Sequence, residues 1–396
     1  MKKDPYNHKE RYFLWKEKVE NGIPDITKSN SDIILKYIDD MENGLNISSK
    51  STKGPRSYIR LNNLRQRMTF LAKQIEKHCH SDLINLTEEQ IIKFFTSMRN
   101  GTITRIDGKS YQSVVDFVKP FKSFWHWYIK VNKKNWIEIP DITEDLDVSN
   151  SKPRWVYLTE QQVKLLCDNA KPEYEVLIMF MFDTGIRSPG ELINIKVSDL
   201  HNNYKELNIR EDIVKKGSFG RKVKLMLCSD LVKNYITKKQ LQAEDQLFNI
   251  CPANVNQYLK RLATRVLGKS TSLAGKKYSD LTMYDFRHCA CCYWLPRYKS
   301  ESALKYRFGW KKSDKIHYYS ELLGMKDTIS EEDMFIDLTK TEIERRLLKT
   351  EQENKILKDK LEAYSIDVDK LKVLMQIFTR KFNQISSSKI IEQNRI

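Results

Sequence analysis

Apolar residues recur every three to four positions through most of the chain, and the elements this predicts are helices. Between Tyr58 and Val131, the series Ile59, Leu61, Leu64, Met68, Leu71 and Ile75 marks one amphipathic helix. Thr87 and Gln90 form a capping box that starts another, ahead of Ile91, Ile92, Phe94 and Phe95. Val114, Phe117, Val118, Phe121, Phe124, Trp125 and Tyr128 carry a further series, set off by a loop at Asn100, Gly101 and Gly108. The expectation for 58–131 is a compact bundle of about four helices. Ahead of it, 1–57 is polar, helix-like only over Ser31 to Met41, and reads as an arm or small helical preface. After it, 132–156 carries Pro140 and Pro153 with no clear period, and reads as a linker.

Periodicity resumes at Thr159, where a second capping box with Gln162 leads into Val163, Leu165 and Leu166. Tyr174 to Thr184 is an apolar, helix-like run. Leu207 to Arg210 and Lys222 to Leu227 read as short strands around a glycine-bearing turn, and Glu244 to Leu267 as a helix. Thr282 followed by Asp285 predicts one more helix start. These elements make 157–330 a second domain, mixed α/β. From 331 to 385 a seven-residue repeat takes over. Leu347, Asn354, Leu361, Val368 and Met375 form one seam series; Leu357, Tyr364, Leu371 and Phe378 fill the partner positions. Thr350 and Tyr364 are imperfect seam residues. This segment is either a self-associating helix or one packed on its own domain, and 386–396 reads as a disordered tail. The fold class expected is mainly α with a small β-sheet.

Charge changes the picture more than composition does. Lys and Arg number 69 against 52 Asp and Glu, a formal net charge of +17. A polyanionic partner follows, and nucleic acid is the commonest. Basic residues are interleaved through 58–131, where they either meet phosphates or merely solvate the outer faces. No apolar run has spanning length, and Met1 to Glu20 is charged and aromatic rather than signal-like, so no membrane partner is expected and the expected location is cytoplasmic, on the nucleoid. The seven cysteines are an odd number and scattered, which predicts reduced, mostly buried thiols. Cys289, Cys291 and Cys292 lack a second paired cluster, and the His78-Cys79-His80 run is isolated, so no metal is expected. No phosphate-cradling loop is present either, and no cofactor is expected.

The candidate chemistry lies in four separated pieces. Arg187 stands in T-G-I-R-S-P-G-E-L, Lys216 in K-K-G-S-F-G-R-K-V-K-L, and Tyr284 with Arg287 and His288 in Y-D-F-R-H. Trp310 and Tyr319 follow in F-G-W and Y-Y-S-E-L-L-G. Arginine supplies a planar fork of donors for phosphate oxygens, tryptophan a single N–H, and tyrosine a covalent nucleophile.

In that order and spacing the four pieces resemble the tyrosine recombinases, integrases of the phage and archaeal type. The resemblance runs from Tyr58 to Gly324: the bundle is similar to the family's core-binding domain and the segment from Thr159 to its catalytic domain. Arg187 and Arg287 match the two family arginines, and Lys216 the lysine of the strand-turn-strand, preferred over Lys215 because Gly217, Arg221, Val223 and Leu225 keep the family offsets. Tyr284 and Trp310 stand where many members have histidine. Tyr319, ten residues after Gly309, matches the nucleophile, with Tyr318 its rival. His288 matches a histidine that often follows the second arginine. Glu191 matches an acidic residue, displaced by one position. The resemblance implies site-specific recombination of double-stranded DNA through a 3′-phosphotyrosyl intermediate, without metal or ATP, by protomers that self-associate on DNA into a tetrameric synapse. Two readings stay open beside it: a covalent-tyrosine topoisomerase, and a non-catalytic DNA-binding regulator on the same fold.

Overall fold

The computed structural model describes residues 2–49, 51–149, 153–215, 218–298 and 300–323, together with most positions between 347 and 379. Lys216, the 331–346 part of the heptad segment, Phe378 and the 386–396 tail lie outside the described residues. Two compact units emerge, Met1–Gly324 and Met325–Ile396.

In the first unit five helices build one core: α1 (His8–Lys18), α2 (Lys28–Asn43), α3 (Tyr58–Cys79), α4 (Glu88–Arg99) and α5 (Val115–Lys133). Segment 1–57 is therefore not a loose arm, because Tyr12, Val19, Ile34, Tyr37 and Ile38 are buried with Leu64, Met68, Phe121 and Trp127 in a single cluster. Buried polar groups fix the arrangement. Trp127 donates from Nε1 to Asp40 at 2.7 Å, and Asn30 accepts from the Leu83 N–H at 2.8 Å. Thr87 and Gln90 make the reciprocal capping box of α4. The described residues between 134 and 154 are irregular, yet Ile142 and Leu146 are buried in the bundle core and Trp125 Nε1 donates to the Pro140 carbonyl at 2.9 Å. The stretch between the two cores is strapped to the bundle for most of its length.

A second core runs from Trp155 to Tyr319. Its elements are α6 (Glu160–Asp168), α7 (Pro172–Thr184), strands β1 (Leu200–His201), β2 (Glu206–Ile209) and β3 (Arg221–Lys224), then α8 (Ser229–Lys239), α9 (Pro252–Leu267), α10 (Met283–Trp294), α11 (Glu301–Phe308) and α12 (Asp314–Leu322). The sheet is antiparallel in the order β1-β2-β3, with Leu207 opposite Val223 and Ile209 opposite Arg221. β3 alternates between buried and exposed side chains, and Arg221 and Val223 face inward. The strand-turn-strand expected here is present.

Helix ends decide the geometry around the candidate residues. α7 stops at Gly185, whose φ of +58° suits glycine, and a Cβ there would lie 2.3 Å from the Phe308 ring. α11 stops in the same way at Gly309, φ +62°. Between them Asp183 acts as a buried tie. Its carboxylate accepts from the N–H groups of Leu227 at 2.7 Å and Cys228 at 3.1 Å, and from Arg307 at 2.8 Å. Burial raises its pKa, against the pull of those N–H groups and of Arg307.

In the second unit the described positions between 347 and 379 are helical and their side chains exposed. Among the described residues no helix is long and apolar enough to cross a membrane.

Candidate active site

Arg287 sits on the first turns of α10, whose N-terminus is fixed by Asp285. The Asp285 carboxylate accepts from the Thr282 N–H at 2.8 Å and, through its other oxygen, from the Val156 N–H at 3.0 Å. One side chain thus caps the helix and anchors the end of the linker beside it. Arg287 itself is buried. Its guanidinium donates to the Gly185 carbonyl and to the Phe308 carbonyl, both at 2.5 Å. These are the carbonyl ends of α7 and α11, where the helix dipole is negative, so two glycine-terminated helices hold the cation. Burial lowers its pKa to about 10, aided by the nearby cations Arg187 and Arg221 and opposed by Glu191. It remains charged at neutral pH.

Arg187 lies two residues after Gly185 and is partly open, its side chain 23% exposed. Glu191 lies beneath it. The turn formed by 187–191 brings the Glu191 N–H to the Arg187 carbonyl at 2.9 Å, and the carboxylate accepts from the Arg187 guanidinium at 3.3 Å. The displaced position of Glu191 is therefore compatible with contact. Its second partner is Arg221 of β3, 2.9 Å away and fully buried. Burial works to raise the Glu191 pKa, but Arg221, Arg287 and Arg187 outweigh it and the net shift is downward. Sequence reading used Arg221 only as a spacing marker; its neighbour across the site is thirty residues away in the chain, so no local pattern exposes the pair.

Trp310 and Tyr319 close the pocket. Their rings are parallel, 6.0 Å apart with 6° between planes. Trp310 also stacks on Phe308 at 4.9 Å and lies 5.8 Å from the Arg287 guanidinium carbon. Its Nε1 is buried and has no hydrogen-bond partner among the described residues. Leaving such a donor unmade costs about 1–3 kcal/mol, and an oxygen brought beside it would remove that cost. The buried Nη1 of Arg221 is in the same state.

Tyr319 is 3% exposed, and its hydroxyl is in close hydrogen-bond contact with His288 Nδ1. Burial drives the phenol pKa well above its usual value; the thiols of Cys291 and Cys292 add to the rise and Arg287 opposes it. In this closed site the tyrosine is a neutral phenol beside a nitrogen that can accept its proton. The imidazole is itself clamped, stacked on Trp155 at 4.8 Å and met edge-on by Tyr284 at 5.2 Å. Tyr284 is 41% exposed at the rim. Tyr318, the rival, is differently engaged: its hydroxyl accepts from Trp155 Nε1 at 2.7 Å and donates to the Pro153 carbonyl at 2.8 Å. Trp155 was read only as the end of a linker; nothing in its local sequence signals that it carries an imidazole 133 residues on.

The structure thus gathers Arg187, Glu191, Tyr284, Arg287, His288, Trp310 and Tyr319 into one linked cluster. Lys216 belongs to the β2–β3 turn and is outside the described residues. The arrangement offers cationic and N–H donors to an anion and a phenol to attack it.

Residues 156–326 match the sequence profile of the phage integrase family. No curated protein matches the chain. Among solved structures, it is similar to the Tn1549 transposon integrase in complex with transposon right-end DNA, at 13% identity and a TM-score of 0.54, over 80% of this chain and 98% of that one. It is also similar to a lambda integrase dimer bound to a COC′ core site, at 14% identity and a TM-score of 0.53, over 76% of this chain and 98% of that one. At such identities the likeness speaks to the fold, while the profile speaks to the segment that holds the pocket. Residues 156–326 thus match the phage integrase family, and the fold around them is that of integrases with solved structures.

Proposed function

We propose that the protein cleaves and rejoins double-stranded DNA at specific sites through a covalent 3′-phosphotyrosyl intermediate on Tyr319. The observation that carries this reading is the position of the Tyr319 hydroxyl, against a proton acceptor and one aromatic layer from the Arg287 guanidinium.

The steps follow from the groups present. Arg187, Arg287 and Trp310 Nε1 bind the non-bridging oxygens of the scissile phosphate and stabilise charge as it builds there. His288 Nδ1 takes the phenolic proton as the Tyr319 oxygen bonds to phosphorus. The bond from phosphorus to the 5′ oxygen breaks, and Lys216 on the β2–β3 turn delivers a proton to that oxygen. Attack by a 5′ hydroxyl reverses these steps and rejoins a strand, with the bond energy kept in the phosphotyrosine. Glu191 holds Arg187 against Arg221, and Tyr284 walls His288 at the pocket mouth. The charge neutralisation comes from side chains, without a divalent ion or nucleotide. The basic helical bundle grips the duplex electrostatically, and exchange between two duplexes requires several protomers, in a tetrameric synapse.

Trapping on a nicked duplex, in which the short downstream fragment released with a 5′ hydroxyl diffuses away, tests this. Wild type and Tyr318→Phe should accumulate a covalent DNA adduct in the presence of EDTA, and Tyr319→Phe should bind DNA without forming one. A strict divalent-metal requirement for the adduct would contradict the mechanism. Relaxation of supercoils with no strand exchange between paired sites would turn the reading to a topoisomerase.

A further inference from the structure

We infer that the helix between 347 and 379 is one strand of a parallel, in-register, two-stranded coiled coil formed with a second copy of this chain. The inference rests on the second unit alone and not on the catalytic reading.

Among the described residues the helix carries an exposed apolar stripe. Leu347, Leu357, Leu361, Val368, Leu371 and Met375 occupy seam positions, and their exposures run from 49% to 72%. With Thr350, Asn354 and Tyr364 at the remaining seam positions the spacing alternates three and four, the period of a left-handed supercoil rather than of a helix lying on a globular core. A stripe of this length in water needs a cover.

Two features of the same helix fix what covers it. The first is Asn354, a seam residue exposed in the single chain. In a parallel, in-register pair it meets its own copy, and the two amides satisfy each other. In an antiparallel pair with seams aligned, Asn354 faces Leu371 of the other copy and buries an unpaired amide. The second is charge. In a parallel pair the flanking residue before one seam position faces the residue five further on in the partner strand. Glu353 then faces Lys358 of the second copy, and Asp367 faces Lys372. Lys360 faces Ser365, so no like charges meet at these positions. Within one chain Asp367 pairs with Lys370 at 3.3 Å and Lys372 with Asp369 at 3.1 Å, both exposed, and such surface pairs exchange at little cost. Asn354 and both charge pairs select the same partner, orientation and register.

The test uses the full chain without DNA. Sedimentation equilibrium should give twice the 46.9 kDa protomer mass. Glu353→Lys should weaken the dimer roughly tenfold, since two symmetry-related attractions become repulsions, and adding Lys358→Glu to the same chain should restore it. In a chain carrying Cys251→Ser to remove the exposed thiol, Leu361→Cys should form an intermolecular disulfide on mild oxidation. A monomer at all concentrations would overturn the inference, as would failure of the double reversal to restore the dimer. Cross-linking only in a mixture of Leu361→Cys and Tyr364→Cys chains would overturn the orientation. Adduct formation at Tyr319 should be unchanged in each variant, so failure here and failure of the catalytic reading are separable.

Discussion

Arg287 is the residue whose surroundings say most about the site. A guanidinium that is buried and gripped by two helix-end carbonyls cannot wander, so its remaining donors are preorganised for an incoming phosphate. Arg187→Ala and Arg287→Ala should each slow cleavage of a nicked substrate by about a hundred- to a thousand-fold, the usual effect of removing one preorganised donor. Lysine at either position should rescue poorly, because a point charge cannot reproduce the fork. Near wild-type cleavage rates in either alanine variant would remove that arginine from the site. His288→Gln should lower the cleavage rate while leaving DNA affinity intact; unchanged cleavage would assign the phenolic proton to another acceptor. That Arg187, Arg287, Trp310 and Tyr319 come together in the fold was legible in the sequence, because residue types of that kind at that spacing are uncommon. Arg221 and Trp155 were not, since each acts on a partner far along the chain: Arg221 grips Glu191 and Trp155 carries His288.

Among the elements, helices announced themselves by period and by their first turns. The boxes at Thr87, Thr159 and Thr282 each start a helix where expected. Two of the strands were legible as apolar alternation around a glycine-bearing turn, β2 to within a residue and β3 with its end placed three residues late, while the two-residue β1 was not. What stayed hidden was that α1 and α2 join the bundle core. α1 buries only Tyr12 in a segment that is otherwise mostly charged, so it has almost no periodic signal. Equally hidden was the Asp183 tie, which joins the end of α7 to the strand exit and to α11 through the Arg307 pair. A buried ion pair that loses one partner leaves an uncompensated charge, so Asp183→Leu should cost about 3–5 kcal/mol. Urea denaturation read by circular dichroism measures this; a loss under about 1 kcal/mol, the range of an exposed pair, would show that the pair is not integral to the fold.

For the whole molecule, a basic chain of net charge +17 joins a helical bundle, a recombinase catalytic core and a helix with an open apolar seam. Pattern did not reveal that the first fifty residues belong to the bundle core. On the proposed division of chemistry and assembly between the two units, truncation after Glu331 should leave a protein that binds one site and forms the Tyr319 adduct but no longer dimerises. A truncated protein that unfolds would instead place the helix in the core's own stability. The central claim, that Tyr319 is the nucleophile of a DNA strand-transfer reaction, is tested most directly by isolating the covalent complex from a nicked duplex, digesting both components and sequencing the modified peptide by mass spectrometry. The account predicts a nucleotide joined through its 3′ phosphate to Tyr319. A phosphate on Tyr318, or joined through the 5′ end, would contradict it.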